Sequence, residues 1–163
     1  MAIRTSLAGV ATGALLIGLA TGGVIGRQSA EADVRALHDL YYGYFADGRA
    51  DLIAAEIYHP NRMEFGAGGV AISTGRDDVE AGMRRTIDGL VPRGYDHSEI
   101  PDASICAPNP GTVIVSGKVT RYLKDGGVMG EFGATYIYGR TPDGWRIHAF
   151  IGHDAETAVG CVG

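Results

Sequence analysis

The stretch Tyr136–Asp154, YIYGRTPDGWRIHAFIGHD, constrains the fold more than any other part of the sequence. Two β-rich runs flank Thr141-Pro142-Asp143-Gly144. Proline presets φ near about −65° and glycine accepts positive φ, so the pair reads as a hairpin. Beyond the turn, strict alternation puts Trp145, Ile147, Ala149, Ile151 and His153 on one face and Arg146, His148, Phe150 and Asp154 on the other. The first face is apolar up to its final histidine. A pocket floor with one polar group at its rim reads this way, and so does a core strand whose last residue meets water.

The segments before the hairpin supply helices first and strands afterwards. Val34, Leu37, Leu40, Tyr41, Tyr44 and Phe45 recur at helical spacing, which predicts an amphipathic helix over 32–47, stopped by Gly48. A shorter helix over 50–58 ends at His59-Pro60, because the residue before proline is biased away from the α region. Short β runs at 62–65 and 70–73 precede a third helix, with Val79, Met83, Ile87 and Leu90 on its buried face and a Thr74–Asp77 capping box at its start. Strands follow at 95–107 (interrupted near Pro101), 112–124 and 128–140. Val113, Val115, Gly117 and Val119 share one face of the second of these. Helices segregated to one side of an antiparallel sheet give an α+β domain.

The 163 residues fit one domain, and a net charge of −5 offers no basic surface for nucleic acid. Residues 1–32 stand apart from the fold. Arg4 precedes an uncharged run over 7–26, and Ala30-Glu31-Ala32 has the small-x-small pattern of a signal-peptidase site. Export with cleavage is the leading reading, which places the protein in the periplasm or outside the cell. An uncleaved anchor through 7–26 and a soluble helix are the alternatives. The domain then spans 33–154, with a tail over 155–163. Cys106 and Cys161 are either a disulfide pinning that tail or two thiols. No CxxC or HxxxH spacing occurs, so neither a metal nor a cofactor is expected.

Several stretches together resemble the nuclear-transport-factor-2-like superfamily, including its SnoaL-like and ketosteroid-isomerase-like members. They are Phe45-Ala46-Asp47-Gly48, His59-Pro60-Asn61, Thr74-Gly75-Arg76 and Asp143-Gly144-Trp145-Arg146-Ile147. The resemblance implies a curved antiparallel sheet wrapped around the N-terminal helices, a cystatin-like cone enclosing a mostly apolar pocket. Ketosteroid isomerases use an aspartate base and an oxyanion hole made of a tyrosine and a protonated aspartate. By that resemblance the tyrosine falls at Tyr41, the base near Glu64 and the second donor at Tyr136. The last is a hydroxyl where the enzyme has a carboxylic acid, so ketosteroid isomerisation itself is not expected.

Tyr41, His153, His97 and Glu64 are therefore the catalytic candidates, with the histidines and Glu64 as proton carriers. Tyr41, Phe132, Tyr136, Tyr138, Trp145 and Ile151 are the candidate ligand-lining residues. The function expected is binding of a small apolar or amphipathic molecule, with cofactor-free proton transfer of the isomerase, cyclase or dehydratase type as its chemistry. The rival is a non-catalytic interaction module at the cell envelope, dimerising through an outer sheet face formed by Arg146, His148 and Phe150.

Overall fold

A computed structural model describes residues 21–157 and 159–160. Helix α1 runs over Thr21–Ala46, α2 over Ala50–Leu52 with a widened π turn at Ile53–Ile57, and α3 over Arg76–Leu90. The strands are β1 (Tyr58–Gly66), β2 (Gly69–Thr74), β3 (Tyr95–Glu99), β4 (Ser104–Asn109), β5 (Thr112–Leu123), β6 (Val128–Thr141) and β7 (Gly144–His153). They form one sheet in the order β2-β1-β7-β6-β5-β3, with β4 also paired to β5. This is the α+β architecture expected. All pairings are antiparallel except β1 with β7, which run parallel.

Helix α1 starts earlier than its apolar spacing suggests, and its buried stripe is rotated. Ala30, Val34, His38, Tyr41 and Phe45 are buried, whereas Leu40 is 41% exposed. A histidine thus occupies the interior position that the pattern assigned to leucine. Ala30-Glu31-Ala32 lies inside this helix, and the Glu31 carboxylate accepts a hydrogen bond from the Ala107 amide at 3.1 Å. Residues 1–20, which carry most of the apolar run, lie outside the described residues. Among the described residues no helix is long and apolar enough to cross a membrane. Cys106 is disulfide-bonded; the chain's other cysteine, Cys161, lies outside the described residues.

The start of α3 differs from the capping box expected. Gly75 is the N-cap and supplies no side chain. Asp78, one position later than foreseen, accepts from both the Thr74 amide and the Thr74 hydroxyl at 3.2 and 3.1 Å. A carboxylate in the first turn also meets the positive end of the helix. Val79, Met83, Ile87 and Leu90 pack inward as their spacing predicts.

Strand β7 departs most from simple alternation. Tyr138 pairs with Ile147, but Ile137 pairs with Ala149, so His148 is an extra residue, a β-bulge. Before the bulge Trp145 and Ile147 face the helices. After it the phase inverts, and Phe150, opposite Tyr136, faces inward. Ile151 and His153 are carried to the outer face with Thr135 and Gly133. The single inward face predicted for Trp145 to His153 is therefore split in two, and Phe150 does not belong to an outer interface.

The displaced histidine needs a gap on the neighbouring strand. His153 lies over Gly133, where a Cβ would collide with its ring and with the Asp154 carbonyl. Because part of that obstacle is backbone, the collision cannot be relieved by a rotamer change alone. Gly133→Ala is expected to destabilise the fold by about 1–3 kcal/mol, measured as a lower urea midpoint with an unchanged slope.

Candidate functional site

Between the concave face of the sheet and helices α1 and α3 lies a cavity of about 140 Å³. Its aromatic wall is Tyr41, Tyr42 and Phe45 from α1, Tyr58 from β1, Phe132 and Tyr136 from β6, and Phe150 from β7. Met83, Thr86, Ser98 and Val119 complete the lining together with three charged residues, Arg62, Glu64 and Arg121. Each is placed by strand periodicity. Val113, Val115, Gly117, Val119 and Arg121 lie on one face of β5, opposite Tyr138, Tyr136, Ala134, Phe132 and Gly130. On β1, Arg62 and Glu64 alternate with Met63 and Phe65, which face away.

Two of the hydroxyls form a pair. Tyr42 and Tyr136 share a hydrogen bond of 2.9 Å, and the Tyr41 and Tyr58 rings meet edge to face with centres 5.7 Å apart. The Tyr42–Tyr136 pair uses one of its two O–H groups internally and leaves the other to donate to a ligand. Burial raises the pKa of Tyr41, Tyr58 and Tyr136, with the neighbouring phenols adding to the effect for Tyr58 and Tyr136. For Tyr41 the neighbouring Tyr58 hydroxyl and the Arg62 and Arg121 charges act in the opposite direction. These phenols stay protonated at neutral pH, so they are donors that can polarise an oxygen rather than bases.

The cations are less well satisfied. Arg62 is only 4% exposed; its guanidinium lies 4.3 Å from the centre of the Tyr58 ring, and its Nη2 reaches Glu64 at 3.3 Å. Its Nε and Nη1 are buried with no hydrogen-bond partner among the described residues, and the same holds for Arg121 Nε. Arg121 sits 4.6 Å over the Phe132 ring. Among the described residues Glu64 is the only carboxylate lining the cavity.

Of the candidates read from sequence, Tyr41, Glu64, Phe132 and Tyr136 converge on this cavity. The others do not. His153 is on the outer face, its Nε2 bonded to the Thr135 hydroxyl at 3.0 Å and its Nδ1 to the Asp154 carbonyl at 2.9 Å. His97 points away because its neighbour Ser98 points in; it stacks on Tyr122 and pairs with Asp96 at 2.7 Å. Trp145 packs at the far end of the sheet beside Arg140, and Ile151 has gone to the outer face. Tyr138 is fully buried behind the cavity, where it shares a 2.7 Å hydrogen bond with His38 Nδ1.

Tyr42, Tyr58, Arg62, Arg121 and Phe150 were missed, and two of them had a legible signal. Arg121 is the next residue along the apolar face Val113–Val119, where a charge is out of pattern. Arg62 and Glu64 share one face of the short β run 62–65, alternating with Met63 and Phe65. Phe150 had none, because nothing in HAFIG announces a bulge.

His38 supplies a pH response. Burial, with a smaller contribution from the Arg35 charge, lowers its pKa from 6.5 to about 4. The unfolded chain therefore takes up a proton near pH 6.5 that the folded chain refuses until about pH 4. Stability is unaffected by this group above pH 6.5 and declines as pH falls from there to about 4, by a total of the order of 3 kcal/mol. Urea titrations at pH 7 and pH 4.5 should show this loss, and His38→Gln should reduce it.

A profile of NTF2-like proteins, the family DUF6841, matches residues 30–155. The chain belongs to that family. No curated protein is detectably similar in sequence. Among solved structures, an NTF2-like protein with a cystatin-like fold from Novosphingobium aromaticivorans superposes with a TM-score of 0.66 at 18% identity, covering 81% of this chain and 86% of its own. A Mycobacterium tuberculosis protein of unknown function gives 0.66 at 15% identity, with 86% and 83% covered. A putative calcium/calmodulin-dependent protein kinase II association domain from Xanthomonas campestris gives 0.59 at 18% identity, with 77% and 87% covered. At such identities the likeness concerns the fold alone.

Proposed function

We propose that this member of the NTF2-like family is a small-molecule-binding domain whose ligand occupies the cavity between α1 and the sheet. The observation that carries the reading is the convergence of unspent phenol donors on an aromatic-walled cavity. Apolar walls with a few fixed polar groups are the usual composition of ligand sites. The volume of about 140 Å³ limits the ligand body to roughly one six-membered ring, since an engineered cavity of about 150 Å³ takes benzene. With the apolar N-terminal segment read as an export signal or anchor, binding takes place at or beyond the cell envelope.

Any proton transfer in this cavity falls to Glu64, because none of the five histidines, His38, His59, His97, His148 and His153, lines it. Tyr41 and Tyr136 would hold the substrate oxygen while Glu64 accepts the proton, a cofactor-free step of the isomerase or dehydratase type.

Met83 lines the cavity and carries a methyl group that reports on its contents. Phenol added to the full chain should shift the Met83 methyl resonance. Val119→Phe, which fills the cavity from β5, should abolish that shift while leaving the circular dichroism spectrum unchanged. A Met83 signal indifferent to phenol and similar ring-sized probes would sink the reading.

Self-association through the outer face is a second reading, on different residues from those first expected. Met63, Val70 and Ile72 are 45%, 59% and 68% exposed and adjoin Phe65, Ala149 and Ile151 through the β2-β1-β7 pairings. A continuous apolar face on the outside of a sheet suits a second copy of the same face. The description of the Xanthomonas relative as an association domain fits the same use of the fold. Ile72→Glu should convert a dimer to a monomer in sedimentation; a monomeric wild-type chain would rule the interface out.

A further inference from the structure

Arg62 and Arg121 are out of keeping with a pocket for a wholly apolar molecule. A guanidinium withdrawn from water loses solvation that only hydrogen bonds and opposite charge restore. Arg62 has one carboxylate contact, at 3.3 Å, and keeps two buried N–H-bearing nitrogens unpartnered. Arg121 has a third such nitrogen, and among the described residues it makes no ion pair. Glu131, the carboxylate beside it in an adjoining surface groove, is engaged by the Thr120 hydroxyl and by Lys118. Within the cavity two cations face one carboxylate, Glu64, which leaves one positive charge over.

We propose that the ligand is a small monocarboxylate, its carboxylate held between Arg62 and Arg121 and its ring-sized body against the tyrosines. The proposal rests on the cavity being the ligand site and adds the chemical class. Three features select it. The charge excess is that of a monoanion. Planar guanidinium forks donate parallel N–H groups that the two oxygens of a carboxylate accept. The volume of about 140 Å³ suits a body of one ring and not a nucleotide or a steroid. The unspent phenol O–H groups lie on the aromatic wall of the same cavity and supply further donors to the carboxylate or to a ring substituent.

Calorimetric titration of the full chain with benzoate, its neutral isostere benzamide, phenol and inorganic phosphate separates the possibilities. Benzoate should bind at least tenfold more tightly than benzamide, and Arg121→Met should weaken benzoate by about tenfold to a hundredfold while leaving phenol unchanged. Arg121 is the more exposed of the two arginines and the variant expected to keep the fold; Arg62→Met should have the same effect. Equal affinity for benzoate and benzamide, or no response to Arg121→Met, overturns the carboxylate clamp while the pocket reading stands. Phosphate binding as tight as benzoate overturns the carboxylate assignment in favour of a general anion site. Failure of phenol, benzamide and benzoate alike overturns the pocket reading and the clamp with it.

Discussion

One inserted residue, His148, determines what the concave side of this protein contains. A strand has a period of two, so adding a residue inverts every side chain beyond it. Without the bulge Phe150 would face outward and His153 would face in; with it the cavity gains an aromatic wall and loses a histidine. The neighbouring strand is adapted to the inserted residue, since Gly139 leaves space under the His148 ring and His59 stacks on it with ring centres 4.2 Å apart. Burial, and secondarily the facing His59, lowers the His148 pKa. The bulge is a packed feature with its own partners, as expected of one that sets the shape of a site.

On the concave side the same economy governs polar groups. Helix α1 contacts β6 through two polar cross-links, His38 with Tyr138 and Tyr42 with Tyr136, within a cluster of rings 4.8–6.2 Å apart. Edge-to-face contacts in that range add to the stability of simple burial. The hydrogen bonds fix the rotation of α1 about its axis, which an all-hydrocarbon stripe would define less sharply. They also explain why the buried stripe carries a histidine where periodicity pointed to Leu40. The arginines differ in kind: their stems and ring contacts are built in, but their N–H groups are not all answered within the chain.

The architecture was legible because it rests on repetition. Alternation on β5, the helical spacing of Val79, Met83, Ile87 and Leu90, and the Pro142–Gly144 turn each recur over enough residues to survive local irregularity. The site was legible where those periods held, at Tyr41, Phe132, Tyr136 and Glu64. It was not legible beyond a register break, because a bulge is a tertiary compromise with no signature of its own in composition. His97 failed for a different reason. Its strand ends in a turn at Pro101-Asp102, and a five-residue strand gives too few alternations to decide a face. The parallel pairing of β1 with β7 was equally silent, since partners far apart in sequence leave no local mark.

That parallel pairing also orders the assembly of the domain in time. Strand β1 has only the β2 hairpin beside it until β7 arrives, and its register sets Tyr58 against Ile147, far along the sequence. A two-stranded hairpin is marginal in water by itself. The cavity therefore has no β1 wall until the last strand has been made, and Arg62 and Glu64 reach their final places only then. Closing so long a loop costs entropy before any contact repays it, which slows folding relative to chains with local pairings. During synthesis β1 and its hairpin partner must wait for a strand made long after them.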